Sequence, residues 1–248
     1  MAKVRLDQLL VARGLAASRD RARALILAGD VNVRATPAAK AGTLVDDAAE
    51  ITLRQPDHPW ASRGGLKLAH ALELFQIDVT NALALDIGAS TGGFTDVLLQ
   101  RGARDVIALD VGHNQLDWKL RSDSRVIVRE GVNARTLTPA DVPYTVDIVT
   151  IDVAFISLKH ILPEVPKVLA PGGDVVALVK PQFEAGREEV GKGGIVSDPE
   201  VHEAVLARVT ADAEAAGLTR CGMTPSPITG ATGNREFLVH LRHAEPRR

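Results

Sequence analysis

Leu85-Asp86-Ile87-Gly88-Ala89-Ser90-Thr91-Gly92-Gly93-Phe94-Thr95 leaves a short apolar run, turns through three glycines and enters a helical pattern. Glycine in a strand-to-helix turn lets a ligand come close to the backbone, where a side chain would keep it away. The following apolar run, 106–109, ends at Asp110, seventeen residues past Gly93. An acid in that place can accept both hydroxyls of a ribose. A glycine-rich turn alone would read as an ordinary loop; the turn and the acid together predict an adenosine-binding pocket.

Working outward, short apolar runs at 83–87, 106–109, 126–128, 148–151 and 175–179 are separated by helical patterns at 93–101, 114–121 and 158–169, with another helix over 199–216. This alternation predicts an α/β fold, a mostly parallel sheet covered by helices on both faces. Two further runs, 218–223 and 236–241, predict an antiparallel hairpin at the sheet edge. Toward the other end, Leu6, Leu9 and Leu10 lie at helical spacing before Gly14, and Ser18 stands as an N-cap before 19–29. Val31 and Val33 alternate as in a strand, and 50–53 is a second extended run. The prolines of Gln55-Pro56-Asp57-His58-Pro59-Trp60 suit a linker. The expected organisation is a small α+β domain over 1–60 and an α/β domain over 61–248.

Of the 248 residues, 46% are hydrophobic and 24% charged, which excludes a disordered or fibrous chain. The longest stretch free of Asp, Glu, Lys and Arg covers only the fourteen residues 221–234, too short for a spanning helix. The opening residues lack the apolar core of a signal peptide, and the single cysteine, Cys221, cannot form an internal disulfide. A cytoplasmic protein is expected, with no metal site. The net charge of −2 hides an asymmetry. Residues 1–40 hold eight Lys or Arg against three acids, an excess of five positive charges, and the other 208 hold 21 against 28. A polyanion is therefore drawn to one end of the molecule. With 3% aromatic residues, a broad stacking platform for bases is not expected.

Dinucleotides and S-adenosylmethionine share the predicted topology. The turn does not spell G-x-G-x-x-G, and Asp86 at the strand end would repel a pyrophosphate but can receive a methionine amino group, directly or through the loop. S-adenosyl-L-methionine is the favoured cofactor. Asp152 and Lys180 end two more strands, so Asp86, Asp110, Asp152 and Lys180 should line one edge of the sheet, where ligands of open parallel sheets bind. Each alone would read as a solvated strand end. Lys67, at a helix start, and Glu236, opening the last strand, read on their own as surface charges.

Five motifs in order resemble the TlyA (hemolysin A-like) ribosomal RNA methyltransferases: Arg63-Gly64-Gly65-Leu66-Lys67-Leu68, the run 86–95, Asp152-x-x-Phe155-Ile156-Ser157-Leu158, Lys180-Pro181-Gln182-Phe183-Glu184 and Gly233-Asn234-x-Glu236-Phe237. The resemblance covers nearly the whole chain. It implies a Rossmann-like, FtsJ-like domain with a seven-stranded sheet that methylates a ribose 2′-hydroxyl, of cytidine, in 16S or 23S ribosomal RNA or both. It places a Lys-Asp-Lys-Glu catalytic tetrad on Lys67, Asp152, Lys180 and Glu236. Cofactor contacts are expected from Asp86, Gly88, Ala89, Ser90, Thr91, Gly92, Gly93, Phe94, Asp110 and Val111. The first domain resembles the RNA-binding module named after ribosomal small-subunit protein four, with RNA contacts expected from Lys3, Arg5, Arg19, Arg21 and Arg23. Two departures stand out: Ala154 replaces a usual Ser, and Arg34-Ala35 replaces a usual Asn-Gly or Asp-Gly, so a hairpin of different shape is expected there. Lys180 is cast as the base, with a charged, alkoxide-stabilising Lys180 as the alternative. The rival classes are an inert ribosome-assembly factor, a membrane-lytic hemolysin and an NAD-dependent oxidoreductase.

Overall fold

The computed structural model describes residues 3–16, 18–27, 29–38, 40–53 and 58–244. The chain forms two compact units, Met1–Pro59 and Trp60–Arg248. Part of the expected linker, 55–57, lies outside the described residues.

In the first unit the chain order is β1 (Lys3–Arg5), α1 (Leu6–Ala12), α2 (Arg19–Leu27), β2 (Val31–Val33), β3 (Thr36–Pro37), β4 (Leu44–Asp46) and β5 (Ile51–Leu53). β1 pairs with β4, and β2 lies between β3 and β5, all antiparallel. The apolar spacing read in the sequence becomes the core: Leu6, Leu9 and Leu10 of α1 pack with Ala22, Leu25 and Ile26 of α2 and with Val31. The hairpin tip corrects one expectation. Arg34 and Ala35 take φ of 50° and 63°, and Val33 still pairs with Thr36. This is the left-handed two-residue turn that Asn-Gly would form, so the shape is kept without glycine, at a backbone cost of about 1–2 kcal/mol per residue.

The second unit continues with α3 (Gly64–Leu74), β6 (Leu83–Ile87), α4 (Gly93–Gln100), β7 (Asp105–Asp110), α5 (Trp118–Arg121), β8 (Val126–Glu130), β9 (Val146–Ile151), β10 (Leu169–Val179), α6 (Pro181–Glu184), α7 (Pro199–Ala215), β11 (Leu218–Pro225) and β12 (Phe237–His243). They form one seven-stranded sheet in the order β11-β12-β10-β9-β6-β7-β8. β12 is antiparallel to both neighbours and the other pairs are parallel. The expected hairpin therefore exists, but β12 is inserted beside β10 and only β11 is at the edge.

Alternate residues serve the two faces. Leu85, Ile107, Val149 and Ala177 pack into one layer with α7, while Ala84, Val106, Ile148 and Val176 pack into the other with α3 and α4. Two expected helices are corrected. Residues 158–169 form two 3-10 turns, Leu158–His160 and Leu162–Lys167, because Pro163 and Pro166 lack the N–H donors of a continuous α-helix. Leu158, Ile161, Leu162 and Val165 are nonetheless fully buried, each worth roughly 1.5–3 kcal/mol, so packing holds the segment. Of 114–121 only α5 is helical; Asn114 has φ 58° and its N–H is taken by Glu130, which keeps the chain ahead of α5 irregular.

Strand order reverses between β6 and β9: from β6 the sheet grows through β7 to β8, from β9 through β10 to β12. The crevice beyond the carboxyl ends of these two strands is where an open α/β sheet accepts a ligand.

Candidate active site

The turn after β6 is built by backbone approach. Asp152 N–H donates to Ile87 O at 3.0 Å, drawing the ends of β6 and β9 together, and Gly88 follows with φ 83°. A Cβ at Gly88 would lie 2.4 Å from the Asp152 carbonyl oxygen. Gly88 and Ala89 donate to Leu109 O at 2.8 and 3.1 Å, so the turn is also sewn to β7. Gly92 has a different job: at φ 96° it leaves room for Leu120 and Leu116, whose methyl groups would lie 2.2 and 2.8 Å from a Cβ.

Two adjoining cavities follow the crevice and share Gly88, Ser90, Asp152 and Ala154. One, about 260 Å³, is lined by Lys67, Ala89, Thr91, Gly93, Phe94 and Lys180, with Ser62 and Gly64 beside them. The other, about 460 Å³, is lined by Asp110, Val111, Gln115, Val132, Asn133 and Phe155 among others. Both are in or near the range of small-molecule sites. The division suits S-adenosylmethionine: an apolar pocket with an acid for the adenosine end, a polar one with a hydroxyl and lysines for the methionine end. Ser62, Asn133 and Gln115 have no motif of their own in the sequence, and nothing in their local pattern marks them as site residues.

Asp110 holds the turn as well as facing the second cavity. Its two carboxylate oxygens accept Ser90 N–H at 2.8 Å and Gly112 N–H at 2.7 Å. Asp86 is not on the open edge. Its side chain is fully buried opposite Thr150, accepting the Thr95 hydroxyl at 2.7 Å and the Thr150 hydroxyl at 2.9 Å. Direct receipt of an amino group is thereby corrected: both Asp86 oxygens are taken by hydroxyls of α4 and β9. Burial pushes its carboxyl up to about 6, opposed by the two hydroxyl bonds and assisted by the charge of Asp152. The folded-state value thus exceeds the unfolded one near 3.8. Asp86 favours folding fully below about pH 4, and that contribution is lost as pH rises through about 6, costing about 3 kcal/mol at 1.36 kcal/mol per pKa unit. Asp86→Asn is expected to be more stable than the wild type at pH 8 by up to that amount, with the difference vanishing or reversing by pH 4. Urea unfolding at the two pH values checks it; a pH-independent difference would refute the assignment.

The four tetrad positions converge. α3 supplies Lys67, whose Nζ donates to Glu236 Oε2 at 2.5 Å across 169 residues of sequence, with both side chains buried. Lys180, at the end of β10, pairs with Asp152 at the end of β9 through an Nζ–Oδ1 distance of 2.6 Å. Lys67, Asp152 and Lys180 share one cavity wall, and Glu236 joins them through Lys67. Two lysines and two carboxylates cancel in charge, as paired groups sheltered from solvent require.

Beside the pair Lys180–Asp152, Phe155 is 88% exposed and holds φ 64°, a region costly for a bulky residue. Its ring meets Phe183 at 5.1 Å between centroids and 49° between planes. Both phenylalanines belong to the five motifs, but the exposure of Phe155 is a signal that sequence alone does not carry. Glu184 accepts the Ser157 hydroxyl at 2.6 Å and Leu158 N–H at 2.8 Å.

In the first unit the carboxylate of Asp7, fully buried, gathers arginines. Arg5 binds it through two bonds of 2.9 and 3.0 Å, Arg19 lies at 3.3 Å and Arg23 at 3.5 Å. The Arg5 hydrogen bonds, against the penalty of burial and with help from Arg19, hold the Asp7 carboxyl well below the usual range. Lys3 is exposed on β1, and Arg21 lies 3.0 Å from His58 Nε2. Arg13 instead donates to the backbone oxygens of Asp47 and Ala49 and is structural.

Residues 60–243 match the family described as FtsJ-like methyltransferase. The chain is 46% identical to the 16S/23S rRNA (cytidine-2′-O)-methyltransferase TlyA of Mycobacterium tuberculosis, over 97% of this chain and 90% of that protein. It is 42% identical to Hemolysin A of Brachyspira hyodysenteriae, over 96% of this chain and 99% of that one. A solved structure from Streptococcus thermophilus, named for hemolysins, superposes with a TM-score of 0.78 at 48% identity, covering 99% of this chain and 90% of the other. Among the described residues no helix is long and apolar enough to cross a membrane.

Proposed function

This chain belongs to the TlyA group of FtsJ-like methyltransferases, and from that premise we propose that it methylates the 2′-hydroxyl of a cytidine in 16S or 23S ribosomal RNA, or both, in the cytoplasm. S-adenosylmethionine supplies a methyl group already activated by the sulfonium charge. Asp110, Val111 and Asn133 would hold its adenosine end, and Ser62 with the turn 88–94 its methionine end. The observation that carries the reading is the convergence of Lys67, Asp152, Lys180 and Glu236 beside that turn.

The protein's own task is alignment and proton removal. Lys180, oriented by Asp152 at 2.6 Å, is cast as the base that receives the 2′ proton as the oxygen attacks, with a charged Lys180 that stabilises the developing alkoxide as the alternative. Lys67, clamped by Glu236, offers a fixed positive charge to the developing alkoxide. The exposed ring of Phe155, backed by the half-buried Phe183, gives a base swung out of its stack an aromatic face to rest on; such stacking is worth about 1–3 kcal/mol. Mapping of 2′-O-methyl groups on ribosomal RNA from cells with and without the gene tests the proposal. One or more cytidine marks are expected to vanish with the gene, and identical maps would rule the function out.

Residues 1–60 are assigned as the RNA-binding module and 61–248 as the methyltransferase domain. Support comes from the positive excess of residues 1–40 and from Arg5, Arg19 and Arg23, which remain 41–51% exposed around one buried carboxylate. Held by Asp7, the guanidinium groups are preset for phosphate oxygens. Replacing Arg19 and Arg23 together by Gln is expected to weaken RNA binding and to flatten the dependence of log K on log salt by about 0.9 for each duplex phosphate that is no longer neutralised. Filter binding over a salt series gives the slope, and an unchanged slope would reduce these arginines to solvated charges.

A further inference from the structure

The two loops that bear the reacting groups are joined by one carboxylate. Asp152 and Phe155 lie on the loop leaving β9; Lys180 and Phe183 lie on the second loop, the segment leaving β10 that opens with the single helical turn α6. Each loop thus carries one half of the Lys180–Asp152 pair and one ring of the Phe155–Phe183 contact. Glu184 reaches from the second loop to the first and uses both oxygens there, Oε2 for the Ser157 hydroxyl and Oε1 for Leu158 N–H. Ser157 Oγ also accepts Lys159 N–H at 3.3 Å, so the start of the 3-10 turn after Phe155 is fixed from two sides. We propose that Glu184 is a positioning residue for methyl transfer, latching the loop after β9 to the loop after β10 so that Phe155 and Asp152 stand in register with Phe183 and Lys180.

The latch answers a need visible in the backbone. Phe155 is held in the left-handed region with its ring largely facing solvent, and neither burial nor a glycine's freedom keeps it there. A tie two and three residues downstream does. A carboxylate with both oxygens engaged fixes position and direction together, which a single hydrogen bond would not. The inference rests on the methyl-transfer reading above for its consequence in catalysis, while the latch itself is a statement about the loop.

The experiment compares full-length Glu184→Ala, Glu184→Gln, Phe155→Ala and the Phe155→Ala/Glu184→Ala double variant on unmethylated ribosomal subunits, together with hydrogen exchange of 153–158. In Glu184→Ala, kcat is expected to fall about tenfold to a hundredfold, as a misplacement of about an ångström would cause. The KM for RNA is expected to rise, the Kd for S-adenosylmethionine to stay within about twofold, and exchange across 153–158 to quicken at least about tenfold, as local opening would produce. Glu184→Gln keeps an acceptor for Leu158 N–H and should restore most of the rate. In the double variant the KM for RNA should be no worse than in Phe155→Ala alone, because the effect passes through that ring. Additive losses in KM, or a rate loss matched by an equal loss of cofactor-binding protein, would overturn the proposal. So would unchanged exchange. If Glu184→Ala does not fold, Ser157→Ala removes one of the two bonds and is read the same way. A wild type inactive on every ribosomal RNA would count against the methyl-transfer reading instead, and exchange alone would then decide the latch.

Discussion

Lys180→Ala is expected to lose methyl transfer by a factor of about 10² to 10⁴, the usual contribution of a positioned proton acceptor, while binding S-adenosylmethionine nearly as the wild type does. The reasoning is geometric. Lys180 Nζ is 2.6 Å from Asp152 and lines the same cavity as the glycine turn, but the turn's own conformation is set by bonds from its N–H groups to the Leu109 carbonyl and the Asp110 carboxylate that do not involve it. Removing the lysine leaves Asp152 without its counter-charge. At 21% side-chain exposure Asp152 can draw on water, so the variant should fold. Transfer of labelled methyl to RNA, read beside calorimetric titration of the cofactor, separates the two effects. Wild-type turnover in pure Lys180→Ala would take the residue out of the mechanism.

Gly88→Ala is the second large effect, and it works in the opposite way, through the scaffold. The new methyl group would meet the backbone carbonyl of Asp152 at 2.4 Å, where no flexible side chain can give way, on a residue at φ 83°. The left-handed conformation costs about 1–2 kcal/mol for alanine and overpacking about 1–3 kcal/mol more, so a loss of about 2–5 kcal/mol in stability is expected. Because relief requires the ends of β6 and β9 to part, cofactor binding should be lost even in the folded fraction. Gly217→Ala is the control: φ is 81° but nothing lies within 4 Å of the added group, so it should show the conformational cost alone and full cofactor affinity. Comparable loss of cofactor binding in both variants would show that the close approach at Gly88 is not what shapes the site.

Much of this is legible in the sequence, for reasons that differ by element. The strands beginning at Leu83, at Val146 and on either side of them are short apolar runs bounded by glycine and acids, and burial on both faces demands just that composition. The strand-end positions of Asp110, Asp152 and Lys180 follow from the same runs. The misread segment 158–169 has helical spacing of Leu158, Ile161, Leu162 and Val165, but two prolines turn that spacing into 3-10 turns with the same buried face. The inward turn of Asp86 depends on hydroxyls from Thr95, nine residues on, and Thr150, sixty-four residues on, and only a folded sheet brings the second of these near. Lys67 and Glu236 are the extreme case: no local pattern links positions 169 apart, and family resemblance supplies what spacing does not. Glu184 and Phe155 stand in plain view within motifs, but their partnership across two loops is a tertiary fact.

The sheet order carries a temporal consequence. β12 slots between β10 and β11, and the residue just ahead of it is Glu236, the counter-charge of Lys67. As the chain emerges during synthesis, every other described strand is available before this one, so the growing polypeptide can collapse around β6 to β10 before Glu236 stands beside Lys67. Closure of the sheet between β10 and β11, and with it the Lys67–Glu236 contact, therefore waits until β12 has threaded into the gap.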